Sequence, residues 1–166
     1  VQAHRKLAEQ TGAFAILVTC SSVSPCVDDV RKLPGIPIYK IDEAMIQKAV
    51  TIGTRIGVIA TVETTLKPTQ QLLNMEADRL KKIIQTELIL VPEAFQHLLD
   101  GDAEQHDRLV HQSVQKLMDR SDVVVLAQAS MARVLGLIPE AERKAPVLSS
   151  PHLALEAIRQ QLFMSD

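Results

Sequence analysis

The chain has 166 residues, which corresponds to one domain or two small lobes and is enough to bury a core without a metal or disulfide. Hydrophobic residues make up 46% and charged residues 23%, so the composition is that of a globular protein and excludes a disordered chain. No apolar run approaches the roughly 18 residues of a membrane span. The formal charge of -2 and the aromatic content of 2% argue against a nucleic-acid surface, which is usually basic and often stacks bases on aromatic rings.

Two further features concern the cell compartment and the start of the chain. Cys20 and Cys26 are too few for a disulfide scaffold, which favours a reduced, cytoplasmic protein. The sequence begins at Val1, without a methionine and already inside a predicted helix. We therefore expect that an N-terminal piece is missing.

Six short apolar runs recur along the chain, and each is nearly continuous in its apolar character. A strand covered on both faces, as in a parallel sheet, has this pattern. The predicted strands are Phe14–Thr19, Ile36–Ile41, Arg55–Ala60, Glu87–Val91, Asp122–Ala127 and Pro146–Leu148.

Segments with helical spacing and recognisable ends separate these strands. The alternation of strands and helices predicts an α/β fold with parallel sheets and right-handed crossovers. If the chain has two lobes, short turns near Gly53 and near Ser149 are where they join. The predicted helices cover Val1–Thr11 and Ala103–Met118, and others begin at Ser24-Pro25, at Asp42, at Thr64 or Thr65, and at Ser150-Pro151.

Short polar segments follow four of the predicted strands. Ligands of open parallel sheets bind beyond the carboxyl ends of the strands, where the following helices present free N–H groups. Hydroxyl groups gathered there would bind a small carboxylate or phosphate, although helix capping alone also explains Ser or Thr at any one position. The four segments are Cys20–Ser24, Thr61–Thr65, Gln128–Ser130 and Ser149-Ser150.

Cys20 is the most reactive candidate. It follows the first predicted strand and precedes a helix N-terminus, which stabilises a thiolate. A thiolate at this place acts as a nucleophile or removes a proton next to a carboxylate. The alternative is a small buried residue without chemistry. Cys26, six residues later, is predicted to pack inside its helix.

Motifs for other chemistries are absent from the sequence. It contains neither a glycine-rich dinucleotide fingerprint nor a phosphate-binding P-loop. His106 and His111 are five residues apart and do not share a helical face, so we predict no metal site.

Three segments resemble motifs of the aspartate/glutamate/hydantoin racemase superfamily. Residues 18–22 (VTCSS) are similar to the family's first catalytic-cysteine motif, in which small hydroxyl or amide residues follow a strand-end cysteine. Residues 57–65 (GVIATVETT) are similar to the strand and threonine-rich loop that opens the family's second lobe. Residues 124–131 (VVLAQASM) fall where the family usually carries its second catalytic cysteine.

The resemblance covers nearly the whole chain and implies a two-lobed α/β fold with the active site in the cleft between the lobes. The first lobe would contain residues 1–50 and 149–166, and the second residues 51–148. One further strand–helix unit would precede Val1 in the intact protein. Racemases of this family use no cofactor: one cysteine removes the α-proton from one face and the other returns a proton to the opposite face.

The chain departs from this pattern at Gln128, which stands where most members have the second cysteine. One thiol cannot supply both faces of the reacting carbon. Another residue replaces the second acid, or the reaction protonates a single face, as in the one-cysteine malonate decarboxylases of the superfamily. A protein that binds small carboxylates without turnover is the third alternative.

The resemblance therefore implies cofactor-independent proton transfer next to a carboxylate, with amino acids, hydantoins or related acids as substrates. Cys20 is expected to be the base or acid. The expected partner is a small carboxylate, without nucleic acid or membrane, and a homodimer is left open. Carboxylate oxygens would bind Ser21, Ser22, Thr61, Thr64 and Thr65, and Gln128 and Ser130 would line the opposite wall.

Overall fold

A computed structural model describes residues 1–164 of the chain. Strands and helices alternate along it, as the apolar runs predict. The helices are α1 (Gln2–Gln10), α2 (Pro25–Arg31), α3 (Glu43–Ile52), α4 (Glu63–Arg79), α5 (Pro92–Leu99), α6 (Ala103–Met118) and α7 (Ser150–Phe163). The strands are β1 (Ile16–Val18), β2 (Ile38–Lys40), β3 (Arg55–Ala60), β4 (Gln85–Leu90), β5 (Val123–Leu126) and β6 (Val147–Ser149).

The strands form two parallel sheets, which confirms the predicted fold class. β1 pairs with β2 in a small sheet, with Leu17 opposite Tyr39. The larger sheet has the strand order β4-β3-β5-β6, so that β3 and β5 are its central strands. Because the strands of each sheet are parallel, the polar segments after β1, β3 and β5 lie beyond the carboxyl edges of the two sheets. The sequence predicts a ligand site there.

Two apolar clusters cover the two faces of the larger sheet. Val58 of β3 belongs to a cluster with α3 and α4, whereas the adjacent Ile59 belongs to one with Val110 and Val114 of α6. Gly57 allows the close approach of α6, since a Cβ atom there would lie 3.0 Å from Leu117 Cβ. The sheet is thus covered on both faces, as a continuous apolar run requires.

Several element boundaries differ from the predicted ones by one or two residues, and β1, α4 and α5 illustrate the differences. β1 has three residues instead of six, and Phe14 lies outside it, 66% exposed and in edge-to-face contact with Phe163. The helix expected to begin at Thr64 or Thr65 begins at Glu63. Helix α5 was not predicted, although Pro92 occupies its first turn.

Short 3-10 turns complete the fold at the carboxyl edges. One covers Ser21–Val23 after β1, and a longer one covers Ala129–Leu137 after β5. None of the helices within residues 1–164 combines the length and the apolar character that a membrane crossing requires. The division into lobes at residues 50 and 149 stays a prediction, and residues 165–166 of the first lobe lie outside the described part.

Candidate functional site

The polar segments after β1, β3 and β5 meet around one pocket of about 280 Å³. The first wall comes from the segment after β1, and the second from the start of α4 and the segment after β5. The structure thus brings together residues that are more than 100 positions apart in the sequence. The pocket is lined by Thr19, Cys20, Ser21, Ser22, Val62, Thr65, Gln128, Ala129 and Ser130.

Cys20 lies at the start of the first wall, with a free and exposed thiol. Its backbone is extended, and its carbonyl accepts a hydrogen bond of 3.1 Å from Val23 N–H, which closes the 3-10 turn. The structure therefore places this cysteine at the surface of a pocket and not in the apolar core. Cys26 is also exposed, so the prediction that it packs inside α2 is wrong; it does not line the pocket.

A buried carboxyl group fixes the turn that follows Cys20. Ser24 Oγ donates a 2.8 Å hydrogen bond to Asp42 Oδ2, and both side chains are almost completely buried. Burial raises the pKa of the Asp42 carboxyl, and the hydroxyls of Ser24 and Ser21 partly oppose this rise by stabilising the charged form. Asp42 stands at the N-cap position of α3, as predicted, but makes no side-chain cap bond there. Its carboxylate contacts the Cys20–Ser24 segment instead.

The second wall contains a short polar contact between Gln128 and Thr61. Gln128 Oε1 accepts two hydrogen bonds, one of 2.6 Å from the Thr61 N–H and one of 3.0 Å from the Thr61 hydroxyl. Thr61 is 1% exposed and does not line the pocket, whereas Gln128 does. The glutamine therefore stands between the pocket and the two donors of Thr61.

Hydroxyl groups of the two walls approach each other across the pocket. Ser22 Oγ lies 3.4 Å from Thr65 Oγ1 and 3.5 Å from Thr64 Oγ1. These are long, weak contacts, so the three hydroxyls are available to a ligand with stronger acceptors. Thr65 lines the pocket, and Thr64 lies at its rim on the exposed side of α4.

The structure thus gathers six of the eight predicted site residues in the pocket lining and places the other two against lining residues. Sequence reasoning missed Thr19, Val62 and Ala129, which also line the pocket. Val62 and Ala129 carry no polar side-chain group, so only their position next to strand ends signals them.

Two other concave regions are less suitable for a ligand because their charged groups are already engaged by other groups of the protein. In a cavity of about 190 Å³, Lys40 pairs with Asp28 and Arg79 with Glu76. A wider groove is lined by Arg5, whose Nη1 and Nη2 donors bind backbone carbonyls and whose Nε lies 3.5 Å from Glu9 Oε1. Within residues 1–164, no group of three or more His, Cys, Asp or Glu residues is placed to hold a metal ion.

Comparison with solved structures shows the same fold in several enzymes. Allantoin racemase from Klebsiella pneumoniae matches with a TM-score of 0.73 at 17% identity, over 98% of this chain and 65% of that enzyme. Picrophilus torridus aspartate racemase matches with a TM-score of 0.73 at 13% identity, over 96% of this chain and 67% of that enzyme. Arylmalonate decarboxylase gives a TM-score of 0.58 at 16% identity, over 99% of this chain and 76% of that enzyme. The chain therefore spans about two thirds of the length of these racemases.

Sequence comparison agrees with the structural one. An uncharacterized protein of Schizosaccharomyces pombe is 26% identical over 93% of this chain and 67% of its own length. The family model described as Asp/Glu/Hydantoin racemase matches residues 1–158, which include every residue of the pocket. The chain therefore belongs to the Asp/Glu/hydantoin racemase family.

Proposed function

We propose that this chain transfers a proton at the carbon next to a carboxylate, with the sulfur of Cys20 as proton acceptor and donor and without a cofactor. The observation that carries the proposal is the position of Cys20. Its thiol is the only ionisable side chain among the nine described residues that line the pocket, and hydroxyl and amide groups surround it.

The proton moves between the α-carbon and Cys20. The thiolate removes the α-proton, so that the C–H bond breaks and an S–H bond forms. The electron pair left on carbon delocalises into the carboxylate, whose oxygens gain negative charge. Hydroxyl donors already in place stabilise that charge without reorganisation, and Ser22, Thr65 and Ser130 supply such donors in the pocket lining.

The second wall supplies no proton for the opposite face. The Gln128 amide donates and accepts hydrogen bonds but does not release a proton near neutral pH. A single thiol therefore exchanges the α-proton with solvent on one face, and the configuration of the substrate is retained. We accordingly expect poor racemisation of aspartate and glutamate.

Decarboxylation is the second candidate, because it needs only one proton donor. Loss of CO₂ from a malonate-type acid leaves a carbanion that needs one proton on one face, which one thiol supplies. The similarity to the fold of arylmalonate decarboxylase is compatible with this reaction.

Deuterium incorporation in heavy water tests the proposal. The substrates are alanine, lactate, aspartate and 2-phenylpropionate, with phenylmalonate added to detect CO₂ release. We expect the wild type to incorporate α-deuterium into at least one acid with retained configuration. Cys20→Ala should reduce the rate by at least about 100-fold, because general acid–base catalysis contributes on that order.

Cys26→Ala is the matched control, since it removes the other exposed thiol, which does not line the pocket. Its exchange rate should equal that of the wild type. Deuterium incorporation by the Cys20→Ala variant at the wild-type rate would contradict the role of Cys20. If no acid exchanges and no CO₂ is released, the proposed catalysis is refuted, and the alternative of a protein that binds small carboxylates without turnover is favoured.

A further inference from the structure

The contact between Gln128 and Thr61 has the form of a carboxylate bound to the protein. A carboxamide and a carboxylate have the same planar shape, and in both an oxygen accepts hydrogen bonds. Gln128 Oε1 accepts one bond from the main-chain N–H of Thr61 and one from its hydroxyl, at 2.6 and 3.0 Å. A ligand carboxylate at this place would use the same two donors.

The donors of Thr61 lie at a position suited to an anion. Thr61 is between the carboxyl end of β3 and the first residue of α4, a helix of 17 residues. The start of the helix favours negative charge, and ligands of parallel sheets bind beyond the carboxyl ends of the strands. In this chain, however, a neutral group of the protein itself fills the position, and Thr61 is 1% exposed behind it.

The rest of the pocket offers no compensation to a second negative charge. The nine described lining residues include no Lys, Arg or His, and the donors are hydroxyls, main-chain groups and the Gln128 amide. A carboxylate that is not bound by a cation needs several such donors to replace the hydrogen bonds that it makes with water in solution. The hydroxyls of Ser22, Thr65 and Ser130 supply donors for one carboxylate. The N–H and the hydroxyl of Thr61 already donate to Gln128.

We propose that Gln128 is a specificity-determining residue: its amide oxygen occupies the place at Thr61 that a second carboxylate of the ligand would take, so that the pocket selects acids with one carboxylate. The inference rests on the proposed function for the binding of the first carboxylate near Cys20. It favours α-proton exchange on monocarboxylates over decarboxylation of malonate-type acids.

Protection of Cys20 from iodoacetamide measures this selectivity directly. Propionate and succinate serve as probes because they differ by one carboxylate, and the label is quantified on the Cys20 peptide by mass spectrometry. The Cys26 peptide of the same sample corrects for the effect of each acid on the reagent. For the wild type, half-protection should need at least about tenfold more succinate than propionate.

Gln128→Ala frees the two donors of Thr61. The half-protecting concentration of succinate divided by that of propionate should then fall by about tenfold or more. A tenfold change corresponds to about 1.4 kcal/mol, which is within the range of one hydrogen bond to a charged group. Gln128→Asn keeps an amide but is one methylene shorter, and its ratio should change in the same direction. This second variant keeps the test valid if Gln128→Ala does not fold.

Gln112→Ala is the control, because Gln112 is an exposed glutamine of α6 that does not line the pocket. Its ratio should equal that of the wild type. An unchanged ratio in both Gln128 variants overturns the inference, as does equal protection of the wild type by the two acids or protection by neither. A changed ratio in the Gln128 variants without deuterium exchange by the wild type would support the inference and refute only the proposed catalysis. Deuterium exchange by the wild type with an unchanged ratio would support the proposed catalysis and refute the inference.

Discussion

The two walls of the pocket are built in different ways. The second wall rests on the four-stranded sheet, whose central strand β5 is completely buried and lies between two apolar clusters. The first wall rests on β1 and β2, strands of three residues, and β1 is only half-buried. One wall is therefore fixed by apolar packing, whereas the other needs a different source of order.

Polar side chains supply that order in the smaller sheet. Arg5 of α1 is 5% exposed and donates hydrogen bonds of 2.8 Å to three carbonyls, those of Val30 in α2 and of Leu33 and Ile36 between α2 and β2. Lys40, with a side chain that is 4% exposed, pairs with Asp28 at 2.9 Å. The comparison teaches that Cys20 follows a small sheet whose neighbouring segments are held by polar contacts, whereas Gln128 follows a strand inside a large apolar core.

Truncation of one leucine in each sheet should give the largest difference in stability. Leu126 is fully buried in β5, and Leu17 is half-buried in β1. Leu126→Ala should lower the free energy of unfolding by about 3 kcal/mol, because it removes buried methyl groups and leaves a cavity. Leu17→Ala should cost roughly 1 kcal/mol, since less apolar surface is lost.

Urea unfolding followed by circular dichroism measures both variants. Equal losses would show that the smaller sheet depends on apolar packing as much as the larger one does, and would remove the contrast between the walls.

The pH dependence of stability should show a smaller effect at Asp42. Because burial raises the pKa of the folded carboxyl above its ordinary 3.8, the folded state binds more protons than the unfolded state between the two pKa values. The stability that this group contributes is present below the unfolded pKa and is lost as the pH rises through the folded one. Asp42→Asn does not titrate, so its free energy of unfolding relative to the wild type should increase over that interval.

Asp29→Asn is the control for this measurement. Asp29 lies in α2, the helix that follows the first wall, but its side chain is 84% exposed and forms a surface ion pair with Lys32. Its effect should stay below about 0.5 kcal/mol at every pH. A loss of stability in Asp42→Asn that is the same at all pH values would show that charge burial is not the cause.

The larger sheet could be predicted from the sequence because apolar runs report burial directly. The strand Arg55–Ala60 and the helix Ala103–Met118 have the predicted ends. Helix α5 was missed because it has eight residues and begins directly after a strand, at Val91-Pro92. Short helices of this kind give few turns of periodicity to detect.

The polar contacts of the site could be predicted only in part. Strand ends indicated Cys20, Thr61 and Gln128 as neighbours, because parallel strands share one carboxyl edge. The hydrogen bonds from Thr61 to Gln128 join residues 67 positions apart, and no local pattern predicts such a pair. The role of Arg5 was invisible for the same reason, since an arginine in a polar helix normally faces water.

The central claim is that one thiol acts on one face of the substrate. Adding a second thiol on the opposite wall tests this claim most directly. Gln128→Cys places it where Gln128 now stands. The measurement is chiral chromatography and α-deuterium content of a single enantiomer incubated in heavy water with the wild type or with Gln128→Cys. The account predicts that the wild type incorporates deuterium with retained configuration and that Gln128→Cys also inverts the substrate. Racemisation by the wild type as fast as its deuterium incorporation would contradict it.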